Sequence, residues 1–342
     1  MDMEILEKFS ETFKKIKDIK TEVAKVIVGQ EKAIDLIIIS LFSRGHLLLE
    51  SVPGLAKSRM VEAFARVINV PFKRIQLTPD MLPQDIIGYE MPVFGTQDFV
   101  TRKGPIFGGL VLLDELNRAP EKTQAAFMQA MQEGQITIGD TTYNLNRIFT
   151  AIATENPIET GGTFQIAEAV LDRFMAKTIF SYPSLVEEEK IARTGDDLSA
   201  YDLKIVYEPD EILPVRDYIM GKNFMGLEKD RPIINYVSRL VQASRPDQAD
   251  IYLSKSDAKC YGSRVRLGIS PRVTKAFLRA LWVYSFGILG EDLILPEHVK
   301  FLAKDLFRHR LILQDSAEFD GITSDDMIAW LLERVPIYVK GE

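Results

Sequence analysis

The sequence predicts an α/β fold, a parallel sheet flanked on both faces by helices, followed by a smaller all-α domain. Three observations carry this. Strand-length apolar runs alternate with helical stretches over the first 180 residues. A loop of a special composition joins the first strand to a helix, and another strand ends in two adjacent acids. Beyond residue 195 the strand signals fade and helical periodicity takes over.

Taken in order, Phe9, Phe13, Ile16, Ile19, Val23 and Val26 recur at three- or four-residue steps, which predicts an amphipathic helix. It leads into Val28-Gly29-Gln30 and a second helix through Phe42. Strands are expected at residues 47–50, 72–77, 110–113, 147–153 and 175–180. Two hairpins interrupt the alternation. One covers residues 89–102 around Gly95, and the other pairs 136–138 with 143–145 around Gly139-Asp140. Phe94 and Phe99 of the first hairpin either pack onto their own domain or touch a partner. Charged Glu187-Glu188-Glu189-Lys190, Gly195-Asp196-Asp197 and Glu208-Pro209-Asp210 mark a helix and a polar connection. Helices are then expected at 211–220, 232–244, 271–286 and 296–307, the last three opening on a proline suited to a first turn. The division is placed at 1–195 for the α/β core and 196–342 for the helical lid.

With 342 residues, 46% of them hydrophobic, the chain can bury a sizeable core and fill two domains. A net charge of −7 and the lack of any long basic run argue against broad affinity for nucleic acid or an anionic membrane. The single Cys260 excludes an internal disulfide, and three scattered histidines have no metal-ligand spacing. The first twenty residues are charged throughout (Glu4, Glu7, Lys8, Glu11, Lys14, Lys15, Lys17), unlike a secretory leader. The longest apolar stretch, residues 36–42, is too short to cross a bilayer, so no transmembrane segment is predicted and a cytoplasmic location is expected.

The chemistry concentrates in two segments. Ser51-Val52-Pro53-Gly54-Leu55-Ala56-Lys57-Ser58 lies between an apolar strand and a helix, where a phosphate cradle belongs. In the pattern G-x-x-x-x-G-K-[ST], backbone N–H groups face the phosphates, the lysine reaches the β and γ oxygens and the hydroxyl ligates Mg²⁺. Lys57 and Ser58 fit, while Ser51 and Ala56 replace the two glycines. Taken alone, the segment also reads as an ordinary strand-to-helix turn. Gly109-Leu110-Val111-Leu112-Leu113-Asp114-Glu115 supplies the second segment, a buried strand delivering two acids to its carboxyl end. Asp114 would hold Mg²⁺ directly or through water, and Glu115 would polarise the water that attacks a γ-phosphate. Asn156 ends another buried strand, where its amide can bond a γ-phosphate oxygen and that water, although Asn-Pro is also a common turn. Arg173 is either a surface charge or a finger reaching a neighbour's phosphate.

Together and in order, these segments resemble the AAA+ ATPases, and specifically the MoxR family. The likeness rests on Val28-Gly29-Gln30, the loop at 52–57, Arg74-Ile75-Gln76-Leu77-Thr78-Pro79-Asp80, Gly104-Pro105-Ile106-Phe107 and Leu113-Asp114-Glu115-Leu116-Asn117-Arg118-Ala119-Pro120. It continues through Lys122-Thr123-Gln124, Met131-Gln132-Glu133-Gly134-Gln135, Thr154-Glu155-Asn156-Pro157-Ile158-Glu159, Leu171-Asp172-Arg173-Phe174 and Ile269-Ser270-Pro271-Arg272. The resemblance implies a P-loop NTPase core with a helical lid, ATP and Mg²⁺ as cofactors, ATP hydrolysis, and a ring, in the expected form a hexamer, with nucleotide held between subunits. It makes Lys57 and Ser58 the Walker A pair, Asp114 and Glu115 the Walker B pair, Asn156 sensor 1, Arg173 the arginine finger and Arg272 sensor 2. Val28, Gly29 and Gln30 would line the adenine pocket, beside Pro53, Gly54, Leu55 and Ala56 of the loop. It further implies a chaperone-like remodeller or regulator of a partner complex, often one with a von Willebrand A domain. The competing expectations are a nucleotide-gated scaffold with little hydrolysis and, disfavoured by the acidic balance, a nucleic-acid motor. Two departures stand out. Ser51 would be strained if its position needs a glycine-only conformation, and Glu155, where the family typically has glutamine, would repel phosphates if it faced them.

Overall fold

The structure, a computed structural model, describes residues 13, 15–95, 98–157, 163–195, 197–221, 231–291 and 293–338. The expectations for Phe9, for the charged positions before residue 13 and Lys14, for Ile158 and Glu159, and for Asp196 fall outside the described residues. By internal contacts the chain forms two compact units. One is Met1–Phe174 with Thr178–Arg216, and the other is Met175–Lys177 with Asp217–Glu342.

β1 (Leu47–Glu50), β2 (Phe72–Gln76), β5 (Leu110–Asp114), β8 (Thr150–Glu155) and β9 (Ala176–Ile179) make one sheet in the order β2-β5-β8-β1-β9; the first four strands lie in the first unit, and of β9 only Thr178 and Ile179 are counted with it. The β1–β8, β8–β5 and β5–β2 pairings are all parallel. Each expected strand is present, shifted at its ends by up to three residues. The central strands are buried on both faces, which is why they read as unbroken apolar runs rather than alternating ones.

Strand pleating sorts side chains onto two faces. Leu48, Ile75, Val111, Leu113, Ala151 and Ala153 share one face with Phe127, Met128 and Met131 of the helix Glu121–Glu133. The opposite face carries Leu47, Leu49, Leu112 and Ile152, all buried, on the side of the helices Glu31–Phe42 and Lys57–Val67, which contact β1 and β5 respectively. Every residue from Ala33 to Phe42 is buried, so the long apolar stretch is a core helix. No helix among the described residues is long and apolar enough to cross a membrane.

His46, fully buried before β1, ties the layers together. Its Nδ1 accepts the Ala151 N–H at 3.0 Å while Nε2 faces the Met131 carbonyl at 3.1 Å, so the ring is neutral with the proton on Nε2. Burial holds its pKa down at about 4.

Both hairpins form as expected. Strand β3 (Gly88–Pro92) pairs with β4 (Phe99–Lys103), and β6 (Gln135–Ile138) with β7 (Thr141–Asn144) around Gly139 at φ +57°. They touch one another. Thr101 Oγ1 lies 3.0 Å from the Tyr143 hydroxyl, the Lys103 ammonium sits over the Tyr143 ring, and a Cβ on Gly139 would run into the Glu90 carboxylate. Phe94 is fully exposed and Phe99 largely so, which leaves neither packed onto its own unit.

The units part after Arg216, downstream of the change in sequence texture at 195, because the polar connection docks onto the first unit. The Val206 N–H donates to the Val67 carbonyl at 2.8 Å, Arg66 reaches the Leu198 carbonyl at 3.2 Å, and Asn69 holds the Glu208 carboxylate at 2.7 Å.

The second unit is mainly helical, as predicted, with helices Arg231–Ala243, Arg272–Trp282 and Pro296–Phe307 close to expectation. It is not purely α. Val265–Leu267 and Ile312–Leu313, named β10 and β11, form a small antiparallel ribbon. Three helices had no strong sequence signal: Lys255–Gly262, Asp315–Phe319 and Ser324–Arg334. Its side chains are cross-braced by Arg308, whose guanidinium meets Asp325 at 2.9 and 3.0 Å, a two-point contact.

Candidate functional site

The loop after β1 is shaped by its backbone. The Ser51 N–H extends the ladder by donating to the Glu155 carbonyl at 3.0 Å, and the Ser51 hydroxyl donates to the Val52 carbonyl at 2.8 Å. Ser51 does not take a left-handed conformation, so the strain expected there is absent; glycine is not required at that position. Left-handed backbone falls instead on Gly54 at φ +86° and on Ala56 at φ +54°. A Cβ on Gly54 would meet nothing within 4 Å, so glycine serves the backbone conformation there and not crowding. Ala56 carries a cost of about 1 kcal/mol for an L-residue in that region.

Ala56 is the residue from which the helix Lys57–Val67 springs, with no acidic side chain in its first turn. Its exposed N–H groups and dipole therefore favour an anion at the loop. Lys57 folds back so that Nζ lies 3.5 Å from the Ser51 carbonyl, which places the ammonium over the loop it belongs to.

Across the sheet, the acid edge is built by side chains. Asp114 is the last residue of β5 and is buried; Glu115 follows in a left-handed conformation, φ +60°. One buried hydroxyl organises both. Thr154 Oγ1 donates to Asp114 Oδ1 at 2.7 Å and accepts the Glu115 N–H at 2.9 Å. The other Asp114 oxygen, Oδ2, is taken by Arg74 of β2, at 2.6 Å from Nη2 and 3.2 Å from Nε. The Glu115 carboxylate meets Arg118 at 3.0 Å. Sequence reasoning gave no role to Arg74 or Thr154. The available signal was an arginine and a threonine alternating correctly with apolar neighbours on strands adjacent to β5, but adjacency becomes known only with the strand order.

The same register settles the second departure. Glu155 pairs with Glu50 on β1, one step along from Thr154, and so belongs to the sheet face opposite to Thr154 and Asp114. Asp114 shares its face with the helix that begins at Lys57 and Ser58, and that helix contacts both β5 and β2. Loop and acid edge therefore belong to one face and to the carboxyl ends of the strands, where ligands bind in open α/β sheets.

Beside the loop lies a cleft of ≈ 380 Å³ lined by Val28, Gln30, Gly54, Leu55, Ala56 and, across from them, Tyr182 and Ile191. Its volume and mainly apolar wall suit a flat heterocycle with a sugar. Gly29, at φ +72°, lies between the lining residues Val28 and Gln30. A Cβ there would stand 2.6 Å from a Glu187 oxygen, so the backbone passes directly under that carboxylate. Glu187 is itself fixed by the N–H and hydroxyl of Ser184 at 2.8 and 2.7 Å, contacts that hold its pKa below the usual carboxylate value. Gln30 donates to the Ser181 carbonyl at 2.8 Å, joining the two sides.

Of the residues singled out in the sequence, Val28, Gln30, Gly54, Leu55 and Ala56 meet in this cleft, Gly29 falls between two of its lining residues without lining it, and Pro53, Lys57 and Ser58 adjoin it along the chain in the loop and first helical turn. Asn156 is buried directly after β8, and its carbonyl accepts from Asn117 at 3.3 Å. Arg173 does not line the cleft. It bonds the Gln132 side chain at 3.2 Å and the Ala169 carbonyl. Arg272 is exposed at the start of the helix Arg272–Trp282 in the second unit.

The donor set fits Mg²⁺. Ser58 and Asp114 offer hard oxygens, and among the described residues no group of three or more His, Cys, Asp or Glu could cage a metal ion. A cation here would complete its shell with phosphate and water, which is the habit of Mg²⁺.

Comparisons with known proteins place the chain in a family. Residues 46–176 match the family model described as the ATPase family associated with various cellular activities (AAA). The chain is 37% identical over 318 residues to the chaperone MoxR1 of Mycobacterium tuberculosis, covering 92% of this chain and 80% of that protein. It is 35% identical to the Bacillus subtilis protein YeaC, covering 92% of each. A solved structure of a candidate ATPase from Cytophaga hutchinsonii superposes with a TM-score of 0.85 at 34% identity, over 97% of this chain and 98% of that one. With the loop, the paired acids and the sheet order in place, the chain belongs to the MoxR family of AAA+ ATPases.

Proposed function

We propose that the protein binds and hydrolyses ATP with Mg²⁺ and uses the cycle to remodel or regulate a partner protein complex. The observation that carries the hydrolytic reading is the common sheet face shared by Asp114 and the helix of Lys57 and Ser58, at the carboxyl ends of the strands. On this reading Lys57 leaves the Ser51 carbonyl for the β and γ oxygens. Ser58 and Asp114 would hold Mg²⁺, which when bound would offset charge on the same oxygens. Glu115, steered by its left-handed backbone and the Thr154 bond, orients water for in-line attack, and Asn156 holds that water's other side. The cleft at Val28 and Gln30 takes the adenine. Arg173 and Arg272 are assigned as the finger given to a neighbouring subunit and as the lid's sensor on the family resemblance, together with a hexameric ring. Remodelling is supported by the chaperone name of the mycobacterial relative and by the exposed Phe94 and Phe99 on the first hairpin. A client with a von Willebrand A domain and a cytoplasmic location belong to the same proposal.

Phosphate release from purified protein tests it. Lys57→Ala and Glu115→Gln are each expected to lower turnover roughly 100-fold or more, with Glu115→Gln still binding ATP. Wild-type turnover that neither change affects would overturn the assignment. ATP bound by the wild type with no phosphate released would replace hydrolysis by the nucleotide-gated scaffold.

A further inference from the structure

Both oxygens of the Asp114 carboxylate are engaged by side chains. Thr154 holds Oδ1 at 2.7 Å, and the Arg74 guanidinium holds Oδ2 through two nitrogens at 2.6 and 3.2 Å. The two partners differ in their freedom to leave. Thr154 is completely buried and is tied to the Glu115 N–H as well. The Arg74 side chain is half exposed, and its other bond runs to the Gln76 side chain, itself exposed, at 2.9 Å. Oδ2 is therefore the oxygen that can be vacated. A buried carboxylate is stabilised by a counter-charge, and Arg74 supplies one at Oδ2. A guanidinium and a hydrated divalent cation compete at Oδ2, since their charges repel and both draw on the same oxygen.

We propose that Arg74 is the counter-ion Asp114 carries until Mg²⁺ displaces it, so that Arg74 sets the Mg²⁺ concentration at which nucleotide is gripped. The inference rests on the assignment of Asp114 as the metal carboxylate. Arg74 is a positioning residue on this view. It keeps the carboxylate aimed while the site is metal-free, and it swings towards solvent along the edge strand β2 when the cation arrives. The sheet order makes this specific, because β2 is the outer neighbour of β5 and its residues lead out of the core.

The test is a titration of MgCl₂ into protein with a fluorescent ADP analogue, read by nucleotide fluorescence rather than by turnover, in the wild type, Arg74→Gln, Arg74→Lys and Asp114→Asn. Removing the competing charge in Arg74→Gln is expected to lower the Mg²⁺ midpoint about threefold to tenfold. It should also lower the melting temperature without Mg²⁺ and return it towards wild type with Mg²⁺ and nucleotide. Arg74→Lys, which keeps the charge on a single point of contact, should fall between the two, and it decides the matter if Arg74→Gln does not fold. An unchanged or raised midpoint in the folded Arg74 variants overturns the proposal. An unchanged midpoint in Asp114→Asn overturns the metal assignment itself, which a wild-type-like result in the Arg74 variants alone does not.

Discussion

The two halves of the site are held in place by different means. The loop at 51–56 owes its shape to main-chain bonds and to left-handed backbone at Gly54 and Ala56, and Lys57 makes a 3.5 Å contact with the loop's own carbonyl. The acid edge is fixed by a chain of side chains, Arg74 to Asp114 to Thr154, anchored at the Glu115 N–H. A backbone-shaped cradle can adapt to the phosphates it receives. An edge organised by the buried Thr154 hydroxyl ties Asp114 to the Glu115 backbone, and it transmits any defect in that hydroxyl's placement to both.

The largest break in this comparison should come from the scaffold beneath the edge. His46 joins the Ala151 N–H of β8 to the Met131 carbonyl, and its pKa of about 4 lies below the usual 6.5. The unfolded chain therefore binds a proton that the folded one refuses. This contribution is complete above pH 6.5, is lost as pH falls from 6.5 towards 4, and amounts in full to about 3 kcal/mol. Denaturant melts between pH 7 and 4.5 should show that loss in the wild type and a flatter profile in His46→Gln; equal slopes in the two would assign the acid sensitivity elsewhere. Next in size, Thr154→Val removes the donor to Asp114 and leaves the Glu115 N–H without its acceptor, which should lower stability by about 2 kcal/mol and turnover with it. The same variant with unaltered turnover would mean that the edge does not need its hydroxyl. The smallest effect belongs to the loop. Ala56→Gly relieves left-handed strain and should stabilise by up to about 1 kcal/mol in thermal melts, with little change in nucleotide affinity if the cradle is set by backbone shape alone.

The legibility of the sequence follows the same division. The loop is contiguous, so Lys57 and Ser58 were recognisable from order and spacing, as were Asp114 and Glu115 at the end of one apolar run. Arg74 and Thr154 were not, because their relation to Asp114 depends on β2 and β8 flanking β5, a fact of strand order that no linear pattern records. The contact-based units part later than the change in sequence texture for a similar reason. A polar connection reads as a linker, yet the Val206 N–H and Glu208 pin it to the first unit. The helices Asp315–Phe319 and Lys255–Gly262 are too short and polar to show a period, and the two-residue strand Ile312–Leu313 is too short to show alternation. Ser51 and Glu155 looked like flaws because the sequence shows neither backbone angle nor sheet face.

A Cβ on Gly29 would stand 2.6 Å from a Glu187 oxygen. That carboxylate caps the helix Leu185–Ile191 through Ser184, so a side chain at position 29 would push aside the group that starts this helix. The carboxylate tip could yield to it, whereas the left-handed backbone of Gly29 could not, and a substitution there would therefore be felt first as backbone strain beside Val28 and Gln30.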